Sequence, residues 1–173
     1  LQRVLGIADG ELYITGEMLR QPLRLGAPVG SADFHLYVSP HNVGASDAAL
    51  LLSAEAQRMG GGALRVTQEP AMAKGTACAH MLLYLADGSV TDALHAELLR
   101  ATRLGPPLLL VHEQREGQGA LDFDAIMARV PPALKEAGVF RNLAHPLHDG
   151  EELLRVGLRS VLRAACPPTG RRR

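Results

Sequence analysis

The chain has 173 residues, 47% of them hydrophobic, with three Tyr, three Phe and no Trp, which fits one ordinary domain around an aliphatic core. Eighteen basic residues balance eighteen acidic ones, so no net field favours nucleic acid or an anionic membrane. Cys78 and Cys166 lack Cys-x-x-Cys spacing, which argues against a disulfide framework and for a reducing, cytoplasmic setting; the longest apolar runs, such as Met81 to Ala86, fall far short of the ~20 residues of a membrane helix.

Residues 1–30 read as an N-terminal extension or linker: Glu11 to Thr15 has the pattern of a short strand, and Arg20 to Gly30 is punctuated by Pro and Gly. The opening Leu1-Gln2-Arg3-Val4 is no signal peptide and reads as a cut through a longer protein. From Ser31 an alternation begins. Asp33 to Ser39 is a strand stopped by Pro40; Ala45 to Met59 is a helix closed by Gly60-Gly61-Gly62; Ala63 to Thr67 is a second strand. A short, weak helix is expected from Ala71 to Ala79. His80 to Ala86 is continuously apolar, as a strand covered on both faces must be.

Thr91 to Leu104 is the clearest helix, with Ser89 and Asp92 spaced as a capping box and Gly105 at its end. Pro107 to His112 gives a fourth strand. A helix capped by Asp122 must break at Pro131-Pro132 and end at Gly138, and Val139 to Ala144 is expected as a fifth, edge strand. Asp149 and Glu152 are placed to cap a last helix running to about Ala165, and residues 167–173 form a basic tail expected to be disordered. Strands alternating with helices imply parallel crossovers. Residues 31–166 are therefore expected to form a three-layer, flavodoxin-like α/β domain, with a five-stranded parallel sheet in the order 2-1-3-4-5. Ligands of such sheets bind beyond the strand C-termini, which selects Ser39-Pro40-His41 and Asp87-Gly88-Ser89.

No dinucleotide fingerprint, P-loop or Gly-x-Ser-x-Gly elbow is present. His145-Pro146-Leu147-His148 is the only close histidine pair, with no thiolate near it in sequence, so no metal site is expected. Glu97 is the sharper candidate. It flanks the apolar stripe Leu94, Leu98, Ala101, beside the small Ala93 and Ala101, where a carboxylate at the sheet's rim can have its solvation tuned. The plainer alternative is an exposed ion pair with Arg100, three residues on.

On these residues the chain resembles the Toll/interleukin-1 receptor (TIR) domain family. Asp33-Phe34-His35-Leu36-Tyr37-Val38-Ser39 resembles the family's opening strand, and the third strand followed by Ser89 is similar to its Ser-flanked apolar segment. Asp92-Ala93-Leu94-His95-Ala96-Glu97-Leu98 is similar to its acidic helix motif, and Val139 to Leu143 to its fifth strand. The resemblance covers roughly residues 31–165. It departs at Pro40-His41, where members usually carry a basic residue, and at Ala93, where they carry an aromatic one.

The family includes enzymes that cleave NAD, and the resemblance implies Glu97 as the essential carboxylate. NAD would be a substrate, with no tightly bound cofactor. His95 is implied beside Glu97, with Ser39, His41, Asp87 and Ser89 as nucleotide-binding candidates. The resemblance also implies homotypic self-association through the loop around Glu69–Lys74. Two other functions stay open: a non-catalytic TIR-like interaction module, and a nucleoside deoxyribosyltransferase-like enzyme, which also uses a glutamate on ribose. The enzymatic readings require the Glu97 carboxyl group to turn toward Ser39 and Asp87 at the ligand edge.

Overall fold

A computed structural model describes residues 19, 23–30, 32–69 and 77–166. Its five strands are β1 (Phe34–Val38), β2 (Val66–Thr67), β3 (Cys78–Leu85), β4 (Leu108–Glu113) and β5 (His145–Leu147). All pair in parallel in the order β2-β1-β3-β4-β5, the flavodoxin-like plan that the alternation implies. The helices are α1 (Ala45–Arg58), α2 (Asp92–Leu104), α3 (Phe123–Arg129), α4 (Pro132–Glu136) and α5 (Glu151–Ala165).

Strand alternation divides the core in two. Leu36, Val38, Leu82, Leu109 and Val111 pack with α1 and α5; Tyr37, Met81, Leu83, Leu108 and Leu110 pack with α2, α3 and α4. Burial on both faces explains why β3 and β4 are apolar without alternation. Leu23 is buried in the first core, and the Leu25 amide donates to the Gly61 carbonyl at 2.7 Å, so this part of the N-terminal extension packs on the domain.

Five local expectations are corrected. The fifth strand is His145–Leu147, not 139–144. Gly138, at φ 78°, ends α4, and the Val139 amide returns to the Leu134 carbonyl at 3.2 Å, so the apolar Val139 and Phe140 fold into a turn. Proline is tolerated in β5 because it is an edge strand. The third strand starts at Cys78, which pairs with Phe34, so residues 78–79 are strand rather than helix; the rest of the expected weak helix lies outside the described residues. Thr91, not Ser89, caps α2, accepting from the Leu94 amide at 3.3 Å. Asp149 caps no helix: it accepts from the Glu116 amide at 3.0 Å, and Asp122, though placed to cap α3, makes no side-chain cap bond. Among the described residues, no helix is long and apolar enough to cross a membrane.

Candidate functional site

Tyr37 in β1 and Ser39 just past its end lie two residues apart, hence on the same sheet face. Helix α2 lies against that face through Leu94, Leu98 and Ala101, and the same periodicity turns Glu97 toward β1. Two hydroxyls hold its carboxylate. Tyr37 Oη donates to Glu97 Oε1, and Ser39 Oγ donates to Oε2. Ser39 Oγ in turn accepts the His41 amide at 3.1 Å. The carboxylate thus sits half-buried at the C-terminal rim of β1, with both oxygens held by O–H donors. Burial, reinforced by the neighbouring carboxylate, pushes the Tyr37 phenol far above its ordinary value. The phenol therefore stays protonated, a fixed donor. Arg100 is exposed and acts on Tyr37 only through its field, opposing that rise.

The other residues expected at the site do not join it. Ser89 is buried, and its hydroxyl turns back on the strand end, donating to the Ala86 carbonyl and accepting the Ala86 amide, both at 2.9 Å. His41 is exposed on the loop after β1, where its carbonyl accepts from Thr91 Oγ1 at 2.9 Å. Asp87 pairs with Arg129 on α3. His95, with Asp92 3.6 Å from its Nδ1, lines a cavity of about 240 Å³ between α2 and α3. At about 100° per residue, His95 and Glu97 project from opposite flanks of α2.

Tyr37, which holds Glu97 Oε1, was missed from sequence. Its i,i+2 relation to Ser39 was the available signal. Asn42 was also missed, and it fixes the loop between these elements. Its amide accepts from the Tyr84 N–H at 2.8 Å and donates to the carbonyls of Tyr84 at 2.9 Å and Ser89 at 3.0 Å. The side chain thereby extends the β1–β3 ladder past the end of β1 and sets the rim.

A further buried network lies at the end of β4. Glu113 accepts from Arg115 Nε at 2.9 Å, Arg115 Nη2 at 2.6 Å, the Arg115 amide at 2.8 Å and Tyr84 Oη at 2.6 Å. Burial pushes this carboxyl up, but the bonds from Arg115 and Tyr84 outweigh it and hold the group below its ordinary value. His112 is buried beside it, with Nε2 2.8 Å from the Leu121 carbonyl oxygen. Because a carbonyl only accepts, the ring proton lies on Nε2. Among the described residues, no group of three or more His, Cys, Asp or Glu side chains could hold a metal ion. Comparison with known proteins finds no matching family model, no matching curated protein and no matching solved structure.

Proposed function

We propose that this chain is a TIR-like domain that cleaves the nicotinamide–ribose bond of NAD, with Glu97 as the essential carboxylate. One observation carries the reading: the Glu97 carboxylate stands at the rim beside β1 and β3, where the crossover direction of the sheet changes, and Tyr37 and Ser39 fix both its oxygens. The chemistry asks for such a group. Nicotinamide leaves with the electron pair of the glycosidic bond, which neutralises its ring, so the leaving group needs no strong acid. The ribosyl carbon becomes cation-like, and a positioned anion stabilises it. Water then adds to that carbon and releases a proton, giving ADP-ribose. The same reading places the reaction in a reducing, cytoplasmic compartment, supported by two free thiols, Cys78 and Cys166.

The deciding measurement is NAD consumption by wild type and Glu97→Gln, with deoxynucleosides as parallel substrates for the deoxyribosyltransferase reading. Turnover by wild type and a loss of about 10²-fold or more in Glu97→Gln, at a temperature where the variant, though less stable, is still fully folded, is the expected result. No turnover of either substrate by wild type at micromolar concentration, as monomer and as oligomer, sinks the enzymatic reading.

A second reading, a non-catalytic interaction module, is favoured by the saturation of the carboxylate: both oxygens already have donors, as a latch between α2 and β1 would require. It predicts concentration-dependent self-association weakened by substitutions around Glu69–Lys74. Of that loop only Glu69 lies among the described residues. Sedimentation equilibrium showing a strict monomer at high concentration counts against it.

A further inference from the structure

We propose that the cavity between α2 and α3 is a binding site for a neutral aromatic heterocycle bearing an exocyclic amine or carboxamide. Its occupant would be distinct from any ligand of Glu97, and the inference does not rest on the reaction proposed above.

The size, floor and rim of the cavity each constrain the occupant. A volume of about 240 Å³ admits one ring system but not a dinucleotide. The floor is apolar: Ile126 and Val130 are buried core residues, and Val90 closes one side. A flat, apolar face is what such a floor rewards.

The rim is polar and of both signs. Asp92 supplies only acceptors, the His95 ring nitrogens supply a donor, and Arg129 supplies only donors. Arg129 is paired with Asp87, which offsets its charge. An anionic ligand would meet Asp92 with that cation already engaged. A hydrocarbon would desolvate the rim and leave its groups unmatched. A neutral ring whose edge carries both an N–H donor and a carbonyl or ring-nitrogen acceptor matches all of them. Such a ring can donate to Asp92 while accepting from His95 or Arg129.

The cavity also stands apart from the carboxylate. His95 lines it and Glu97 does not, as their opposite projection from α2 requires. A ligand here therefore leaves the Tyr37–Glu97–Ser39 contacts intact.

The test is a titration of the ¹⁵N-labelled chain, followed by amide NMR, with nicotinamide and cytosine as the neutral probes and benzoate as an anionic control of similar size. We expect saturable shifts centred on His95, Ile126 and Val130 for both neutral probes, with a Kd on the order of 1 mM for so small a ligand. Asp92→Ala, at a fully exposed position, keeps the fold and weakens binding by about two- to threefold, since water competes for a hydrogen bond to an exposed carboxylate. Val90→Phe fills the cavity and abolishes the shifts, and Glu97→Gln leaves them unchanged. The proposal is overturned by an absence of saturable shifts, by shifts centred on Ser39 and Glu97 instead, or by benzoate binding as well as the neutral probes.

Discussion

At the residue scale, the arrangement around Glu97 turns on which neighbour holds the carboxylate. Helical spacing alone offered Arg100, and an exposed pair of that kind is worth only a few tenths of a kcal/mol. The two hydroxyls from β1 win because they are anchored on a buried strand, whereas Arg100 would have to give up solvent and rotamer freedom. Tyr37→Phe keeps the ring in the core and deletes only the donor, leaving Glu97 Oε1 short of a partner. A hydrogen bond to a charged group contributes about 1.5–3 kcal/mol, so we expect a loss of that order in chemical denaturation. Turnover in the proposed reaction should fall with little change in KM, since Tyr37 orients the carboxylate rather than the substrate. A variant as stable and as active as wild type would show that the contact has no consequence. The position of Glu97 beside the buried stripe of α2 was legible in the sequence, because helix periodicity is local. Its partners were not, because Tyr37 and Ser39 lie 60 and 58 residues away, and only the sheet order brings them across.

At the element scale, the same division between local and distant information recurs. The break between α3 and α4 at Pro131 and the end of α4 at Gly138 were legible, since each depends on one residue's backbone. The fifth strand was misplaced because Val139 and Phe140 have the apolarity of a strand, while the pairing of His145–Leu147 depends on β4 as a partner. The packing of α1 on α5 was equally hidden. Arg159 and Glu55, each 5% exposed, meet at 2.7 Å between these helices, with Arg155 Nε 3.5 Å from the same carboxylate and the Leu19 carbonyl accepting from Arg159. A buried pair contributes little net stability, but stripping one partner from it is costly. Arg159→Leu should therefore lower the unfolding free energy by about 3–5 kcal/mol, and the double variant Glu55→Leu/Arg159→Leu should recover much of it. Additive losses in the double variant would refute the pairing. The contact between α5 and β5 is as tight: a side-chain carbon at Gly157 would fall against the Pro146 carbonyl oxygen. Gly157→Ala must displace the helix, and we expect destabilisation by about 1–3 kcal/mol despite alanine's better helix propensity.

At the scale of the whole molecule, the parallel sheet and its two helical layers were readable from the alternation of apolar runs and helical stripes. The pH response was not, because it depends on which ionisable groups the layers bury. His80 is held below its ordinary value by burial and, secondarily, by His35, and His145 is lowered by burial alone. A histidine lowered in the folded state contributes stability that is complete above the unfolded value of about 6.5 and is lost as pH falls through the folded value. Glu113, also lowered, adds a contribution that persists to lower pH and is lost below the ordinary carboxyl range of about 4.3. On the alkaline side the sign reverses. Burial pushes the Cys166 thiol up to about 11, so its contribution is present below the unfolded value and fades as pH rises above it. Stability should therefore plateau between about pH 7 and 8.5 and fall in two acid steps, the first carried by histidines and the second by Glu113. We expect Tm to drop between pH 7 and pH 5, and the double variant His80→Leu/His145→Gln to remove most of that slope. It should leave untouched the steeper loss below about pH 4.5, where Glu113 must release Arg115 and Tyr84. If both variant and wild type lose stability equally between pH 7 and pH 5, the first step belongs to other groups and the burial of these two rings is not what sets the acid limit of the fold.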